Sequence, residues 1–574
     1  MVPRELRESR RLTGPNVLWE RPGAVIDVAL DEAEVAGAVA SWSAAARRLL
    51  DTLGWTDERL THRIFPGGVS LALSAPIDAL YAATEINEAA WREAERRLDG
   101  GDPSAGPPET VVESLRATLA AERNPALLRM AAAARRHGVA FLADDDHASV
   151  GLGAGSITWP VAAVPAPETV GWDRVHDIPV ALVTGTNGKT TTVRMVAAMI
   201  AAAGRTPGVS STDWLKVGDE TLDSGDWSGP GGARAILRQP GVEIAVLETA
   251  RGGMLRRGLG VAAADVAAIL NIAEDHLGEW GIEDIRALVE TKFVVARAAR
   301  HLVLNADDPL IVERAQGLAT PITWFALDRT PRNRRLALGG GNSLLAVEGG
   351  EVRRLDALGG DRRLATVESI PIALGGVARH NLANALAAAG VALQLGLDED
   401  AVRAGLAAFH SDPHENPGRL NRFDIGGVHV LVDFAHNPHG LEAVLDMAAA
   451  LPARRRLVLV GQAGDRTDSS IRDLARIVWS ARPERVVIKE MTGHLRGREP
   501  GEVPRLLTEE LIAAGAPAAA LGQADSEIAG VRQALAWSRP GDLLLLLSHE
   551  AREEVLALCQ TLERDRWRPG LPLP

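Results

Sequence analysis

The segment Thr184-Gly185-Thr186-Asn187-Gly188-Lys189-Thr190-Thr191-Thr192 follows directly on an apolar run at 179–183. An apolar strand, a glycine turn and a helix start in that order form a cradle for nucleotide phosphates, because the N–H groups that open the helix converge on the anion. The loop is shorter than the common Walker A spacing, with two residues rather than four between its glycines. Lys189 is placed to neutralise β- and γ-phosphate oxygens, and the hydroxyl of Thr190 to ligate Mg²⁺. Composition sharpens this reading. Only four of the 62 Lys and Arg residues are lysine: Lys189, Lys216, Lys292 and Lys489. In a chain that writes positive charge as arginine, a retained lysine is expected where a guanidinium cannot serve. Lys216 reads as a remnant of base composition.

Two further polar residues lie just past apolar runs. Glu248 follows 244–247 in Glu248-Thr249-Ala250-Arg251-Gly252-Gly253, and a carboxylate at a strand's carboxyl end beside a phosphate loop suits Mg²⁺. His276 lies in Glu274-Asp275-His276-Leu277-Gly278, past the run that ends at Asn271-Ile272, on the same expected ligand edge. The glycines of Gly151-Leu152-Gly153-Ala154-Gly155-Ser156 lack a following Lys-Thr and helix, so they read as a hairpin turn.

These residues need elements to hold them. In residues 1–167 the pattern predicts strands at 24–30 and 67–73, helices at 32–53 and 75–98, a Gly/Pro/Ser loop at 99–108 and one long helix to about residue 137. From 168 to 415, apolar runs at 244–247, 266–271 and 301–305 alternate with helices at 191–203 and 282–299. That alternation predicts a parallel sheet covered by helices, with ligands at the carboxyl ends of its strands. Residues 334–376 carry Gly339-Gly340-Gly341, Gly349-Gly350 and Gly359-Gly360 between short strand-like pieces and read as surface hairpins before a helix at 380–395. A smaller α/β domain, 416–574, has strands at 428–432, 457–460, 485–488 and 543–547. The expected fold class is therefore α/β, with an N-terminal α+β domain, a central phosphate-loop domain built on a parallel sheet, and a smaller C-terminal α/β domain.

At 574 residues, 46% apolar and 24% charged, the chain suits about three globular domains. A net charge of −13 argues against nucleic acid as the main partner. Cys559 is the single cysteine, which excludes an intrachain disulfide and a thiolate metal site. Residues 1–11 are charged, and no run approaches the roughly 18 apolar residues of a membrane span, so a cytoplasmic protein without a membrane partner is expected. A homo-oligomer is compatible with the sequence.

Several phrases together resemble the Mur ligase family. Gly185-Thr186-Asn187-Gly188-Lys189-Thr190, Glu248, Asn271 with Asp275-His276, Lys292 and Asn305-Ala306-Asp307-Asp308 are similar, in order and spacing, to its central domain. Arg379-His380-Asn381-Leu382-Ala383-Asn384, Pro417-Gly418-Arg419 and Asp433-Phe434-Ala435-His436-Asn437-Pro438 continue the likeness into its C-terminal domain. Within the family, Glu248 to Gly253, Lys489-Glu490 and Leu495-Arg496-Gly497-Arg498 look most like the cyanophycin synthetase group, as does Arg11-Leu12-Thr13-Gly14-Pro15-Asn16 at the start. The ATP-grasp domain of that group is missing between residue 160 and the phosphate-loop strand.

The resemblance implies an ATP-dependent ligase that activates a carboxylate as an acyl phosphate and captures it with an amine, releasing ADP and phosphate. It implies ATP and Mg²⁺ as cofactors, and an amino acid and an acidic peptide as substrates. Gly185, Thr186, Asn187, Gly188, Lys189, Thr190 and Thr191 would cradle the phosphates. Thr190 and Glu248 would hold one Mg²⁺, and His276 a second together with a carbamate on Lys292. Asn381 would contact adenine, Arg419 the phosphates and Asp433 the ribose. His436 and Asn437 would line the domain cleft, and Lys489 would face the substrate. Lys189, Lys292, His276 and Arg419 would be the catalytic set. With one ligase centre, one kind of amide bond is expected. Arg10, Arg11, Asn16 and Arg21 offer charge for an acidic peptide, while residues 210–230, with Asp213, Asp223 and Asp226, and 334–376 would shape substrate choice. A folylpolyglutamate- or cell-wall-type ligase and a non-catalytic ATP-binding scaffold are the rival readings.

Overall fold

The computed structural model describes residues 4–102, 106–275, 277–339 and 342–574. The chain divides into two compact units: Met1–Ala346, Arg353–Arg362 and Leu386–Gly405 in the first, and Val347–Val352, Arg363–Ala385 and Leu406–Pro574 in the second.

The first unit opens with strands β1 (Glu5–Leu12) and β2 (Gly23–Ala29), helix α1 (Glu32–Thr52), strands β3 (Leu60–Phe65) and β4 (Gly68–Ser74), and helix α2 (Leu80–Leu98). The strands pair antiparallel in the order β1-β2-β4-β3. The central pair, β2 and β4, is buried at every residue, with Ala24, Ile26, Val28, Val69, Leu71 and Leu73 alternating onto the helix-covered face. Asn87 sits fully buried there and is satisfied: it accepts from Trp42 Nε1 at 2.8 Å and donates to Leu71 O at 2.9 Å. The outer strands β1 and β3 carry too much charge to show as apolar runs, and sequence reading missed them.

The expected long helix is two, α3 (Glu109–Glu122) and α4 (Pro125–His137). Pro125 has no N–H and disfavours helix at the residue before it, so Asn124 becomes a cap whose side chain accepts from Leu127 N at 3.2 Å. Strands β5 (Phe141–Ala143), β6 (His147–Val150) and β7 (Ile157–Pro160) form a small antiparallel sheet, and the 151–156 glycines make its turn, as expected.

The rest of this unit is built on one large sheet, whose last three strands carry residues assigned to both units. In chain order its elements are β8 (Val180–Thr184), α5 (Lys189–Ala202), β9 (Pro207–Ser210), β10 (Trp214–Val217), β11 (Glu220–Ser224), α6 (Pro230–Leu237), β12 (Ile244–Glu248), α7 (Arg251–Arg256) and β13 (Ala264–Ile269). They continue with α8 (Ile285–Lys292), β14 (Ala299–Asn305), α9 (Pro309–Arg314), β15 (Ile322–Ala326), α10 (Pro331–Leu338), β16 (Ser343–Glu348), β17 (Glu351–Leu355) and β18 (Asp361–Thr366). The sheet order is β11-β10-β9-β12-β8-β13-β14-β15-β16-β17-β18, parallel from β9 to β16. β8 lies between β12 and β13, so strand order reverses around it. A crevice for ligands is expected at its carboxyl end for that reason.

Two expectations need correction here. Residues 334–376 are not only hairpins: α10 completes a helix, and β16 joins the sheet parallel to β15, because Leu344, Leu345 and Ala346 are an apolar run that must be buried. The helix expected over 282–299 ends at Lys292 and tightens into a 3₁₀ turn, Phe293–Arg297.

The chain then runs through α11 (Arg379–Gln394) and α12 (Glu399–Ala408). The second unit's sheet is made by β19 (Asn421–Ile425), β20 (Val428–Asp433), β21 (Arg456–Val460), β22 (Arg485–Lys489), β23 (Leu521–Ala524) and β24 (Leu543–Leu547). Its helices are α13 (Pro438–Ala450), α14 (Asp468–Ser480), α15 (Glu502–Ala513), α16 (Glu527–Trp537) and α17 (Arg552–Arg564). The order is β19-β20-β24-β21-β22-β23, parallel except at β19. The all-leucine β24 is central, and its alternate residues enter cores on both faces. Among the described residues, no helix is long and apolar enough to cross a membrane.

Candidate active site

The phosphate loop spans the end of β8 and the start of α5. Gly188 adopts a left-handed φ of 85°, which lets α5 start at Lys189. Gly185 passes so close to the loop after β13 that a β-carbon would lie 2.9 Å from Leu270 Cβ. That neighbouring loop is laced to it. Thr186 N donates to Asn271 O (3.0 Å), Asn187 N donates to Asn271 Oδ1 (2.9 Å), and Asn271 Nδ2 donates back to Asn187 O (3.0 Å). Thr186 Oγ1 and the backbone of Ala273 exchange two more bonds at 3.0 and 3.1 Å. The Asn305 to Asp308 phrase supports this loop from behind: Asn305 Nδ2 donates to Leu270 O, and Ile272 N donates to Asp308 Oδ2. Lys189 Nζ folds back and donates to Gly185 O (3.2 Å) and Thr186 O (3.1 Å), and phosphate oxygens can take over as acceptors from this ammonium.

Glu248, 2% exposed at the end of β12, faces this loop. Thr190 Oγ1 donates to its Oε2 (2.9 Å) and Thr212 Oγ1 to its Oε1 (2.7 Å), with Thr212 N also donating at 3.3 Å. Sequence reading missed Thr212, which follows β9; its only signal was a position past a strand end. Two hydroxyls and a carboxylate are the hard oxygen donors that Mg²⁺ prefers, so the residues fit that ion. Thr191 is buried in the first turn of α5, behind the loop.

Lys292 ends α8 and is 3% exposed. Burial, and then the positive charge of Lys189, push its amine well below the usual lysine range; Arg251 adds to this and Asp275 opposes it. A neutral amine is the form that adds to CO₂, so the residue fits the carbamate expected there. His276 lies outside the described residues.

The second unit gathers Arg419, Phe434 and Asp433. The Arg419 guanidinium stands 4.5 Å over the Phe434 ring. Asp433, at the end of β20, accepts from Leu420 N (2.9 Å) and Ala435 N (2.8 Å), and burial raises its pKa against the opposing charge of Arg419. Each of its oxygens keeps a lone pair for a further donor such as a sugar hydroxyl. Asn381 is buried near the start of α11, with Asn384 Nδ2 donating to its side-chain oxygen at 3.4 Å. Asn437 caps α13 through Gly440 N (2.9 Å), and His436 Nδ1 lies 3.2 Å from Phe434 O.

Lys489 does not face a substrate. It is fully buried, paired with Glu527, and donates to Leu547 O at 2.6 Å. Glu527 also accepts from the N–H groups of His549 (2.8 Å), Glu550 (3.2 Å) and Ala551 (3.0 Å) and from the Ser548 hydroxyl. These donors and Lys489 hold its carboxyl down to about 2. The pair pins the loop after β24, and His549 from that loop packs edge-on against Phe434 with ring centroids 5.2 Å apart. Lysine is retained here as a compact buried cation that fits against the backbone of Gly461. Arg496 and Arg498 are likewise anchored internally, Arg496 on Asp465 and Arg498 on Gly464 O (2.8 Å), Arg466 O (2.7 Å) and Asp468 (2.7 Å).

Residues 183–392 match the Mur ligase middle domain, and residues 418–549 match the Mur ligase glutamate ligase domain. A 2,6-diaminopimelate ligase of UDP-N-acetylmuramoyl-L-alanyl-D-glutamate from Geobacter metallireducens is 31% identical over 405 residues, covering 64% of this chain and 73% of that one. The chain belongs to the Mur ligase family. Higher identity is found to cyanophycin synthetase, 39% over 346 residues for the protein of a Synechocystis species and 38% over 337 residues for that of a Nostoc species. Each of these alignments covers 58% of this chain, and the chain spans only 38% and 37% of those two relatives. Among solved structures, E. coli FolC in complex with ADP is 22% identical, with a TM-score of 0.49 and coverage of 68% of this chain and 90% of that one.

Proposed function

We propose that the chain is an ATP-dependent ligase that joins the amine of an amino acid to a carboxylate of an acidic amino acid or peptide. The observation that carries this is the cluster at the end of β8: a phosphate loop, two hydroxyls on the buried carboxylate of Glu248, and the buried amine of Lys292, whose pKa is lowered by burial and then by Lys189. A buried carboxylate with two hydroxyls at a phosphate loop is a hard-oxygen donor set, and a buried lysine with a lowered pKa beside it is a candidate functional group.

In this reading Thr190 and Glu248 would hold one Mg²⁺, and Lys292, as its carbamate, would hold a second with His276. When bound, Mg²⁺ neutralises charge on the transferring phosphoryl group. Lys189 gives up its contacts with Gly185 O and Thr186 O and donates to β- and γ-phosphate oxygens instead. The amine of Lys292 forms an N–C bond to CO₂ and loses one proton to solvent, which yields an anionic ligand that a guanidinium could not supply. Arg419, held over Phe434, adds positive charge for the phosphates, Asp433 accepts from a ribose hydroxyl, and Asn381 contacts adenine. The substrate carboxylate attacks the γ-phosphorus and releases ADP. The incoming amine then displaces phosphate from the acyl phosphate, losing a proton as the amide forms. The protein's contribution is alignment and charge neutralisation.

Likeness to cyanophycin synthetase favours an acidic acceptor and a basic incoming amino acid over a folate or cell-wall precursor. Purified chain given ATP and Mg²⁺, with amino acids and β-aspartyl peptides offered singly and in pairs, should release ADP over many turnovers only when an acidic acceptor and an incoming amino acid are both present. ATP binding without turnover under every pair would instead establish a scaffold.

A further inference from the structure

Besides α6, where Arg234 Nη2 donates to Thr13 Oγ1 (2.6 Å), the N-terminal sheet and the turn after β1 meet the phosphate-loop half of the first unit at two segments that follow candidate site residues. At the first, Thr13 N donates to Arg257 O (2.8 Å), Leu259 N donates to Pro15 O (2.7 Å) and Arg10 Nε donates to Leu255 O (3.2 Å). These acceptors and donors belong to α7 and its exit, and α7 begins just past Glu248. A β-carbon on Gly14 would lie 2.2 Å from Leu259 O, and one on Gly258 would lie 2.5 Å from Gly14 O, so the two backbones touch with no side chain between them.

At the second place, Arg63 of β3 crosses to the turn at residues 279–282. Its Nη1 donates to Gly281 O (2.9 Å) and its Nη2 to Trp280 O (2.8 Å). The turn closes on itself through Gly278 N to Ile282 O (2.9 Å) and Ile282 N to Glu279 O (3.1 Å). Those bonds do not involve the carbonyls of 280 and 281, and the planar guanidinium takes both at once. Trp280 sits at a φ of 50° and Gly281 at 65°. Left-handed backbone is costly for a tryptophan, so this turn needs an outside contact to hold its shape.

The turn in turn touches the site. Glu279 is ion-paired with Arg251. The Trp280 ring lies 5.6 Å from the Arg251 guanidinium and within 3.8 Å of where a β-carbon on Gly252 would stand. Arg251 opens α7 just past Glu248, and α7 packs against α8, the helix that ends at Lys292. We propose that Arg63 is a positioning residue for ligation: the N-terminal domain braces the 279–282 turn and, through Glu279 and Trp280, the placement of Arg251 at the start of α7. The N-terminal domain is then a working part of the ligase centre. The activity arm of the test rests on the ligase reading above; the structural arm does not.

The 574-residue chain carrying Arg63→Ala, Arg63→Lys or Glu279→Gln is compared with wild type by amide hydrogen exchange, thermal midpoint, ATP affinity and substrate-dependent ADP release. Arg63→Ala should raise exchange in peptides covering 277–284 by about tenfold, while the thermal midpoint stays within about 2 °C. It should lower kcat by roughly 10- to 100-fold with ATP affinity unchanged within about twofold, and Arg63→Lys, which keeps one of the two bonds, should recover part of the loss. Glu279→Gln leaves the N-terminal contact intact, so it remains informative if Arg63→Ala folds poorly; it should lower kcat similarly and be non-additive with Arg63→Ala. A loosened turn with wild-type ADP release would overturn the proposal, as would lost activity with unchanged exchange, or additive effects of the two substitutions. If wild type releases no ADP with any substrate pair, the ligase reading fails. Unchanged exchange in Arg63→Ala would separately refute the brace.

Discussion

At the scale of single residues, three of the four lysines occupy positions where arginine would fail, each for a different reason. Lys189 must thread between its own loop carbonyls and a phosphate. Lys189→Ala should weaken ATP binding by roughly 10- to 100-fold, measured by titration calorimetry, since a charge-assisted contact to the phosphates is lost. Lys292 must be able to shed its proton, and a guanidinium cannot. Lys292→Arg would therefore place a permanent charge beside Lys189 and Arg251; ADP release should fall by at least about 100-fold while ATP affinity stays within about threefold. A Lys292→Arg enzyme that still ligates would refute the carbamate assignment. The sequence reading singled out Lys189 and Glu248 because each lies in or just past a short apolar run and its motif, and Lys292 only through the family resemblance. Thr212 carried no motif of its own, and only the pairing of β9 with β12 brings it to Glu248.

At the scale of elements, Lys489 and Glu527 tie β22, α16 and the loop after β24 into one assembly. The folded-state pKa of Glu527, about 2, lies below its ordinary value of 4.5. Its contribution to stability is therefore complete above pH 4.5 and is lost as pH falls from there toward 2. Glu527→Gln leaves the Lys489 ammonium buried without its anion, which should cost about 3–5 kcal/mol near neutral pH. Urea unfolding at pH 7, 4.5 and 3 should show the gap between wild type and variant narrowing as the solution becomes more acid. A constant gap would mean that Glu527 is not ionised in the fold. The β19 and β23 edges, and the charged β1 and β3, were not legible in the sequence, because edge strands lack the continuous apolar run that marked β8, β12, β20 and β24. The break between α3 and α4 was legible in Pro125, but the alanine-rich pattern on either side concealed it.

At the scale of the whole molecule, the described residues hold a single phosphate loop of this kind with its facing carboxylate, and a single centre should build one kind of amide bond. Mass spectrometry of the products from mixed amino acids should show additions of one amino-acid type; alternating increments of two would require a second centre. The family, the phosphate loop, the strand-end carboxylate and the alternation of strands and helices were written in the sequence itself, because each depends on neighbours a few positions apart. Only tertiary structure decided the rest. Thr212 reaches Glu248 across 36 positions, Lys489 reaches Glu527 across 38, and Arg63 reaches Gly281 across 218. Contacts over such distances follow from strand order and from which elements pack together, and no local periodicity encodes either.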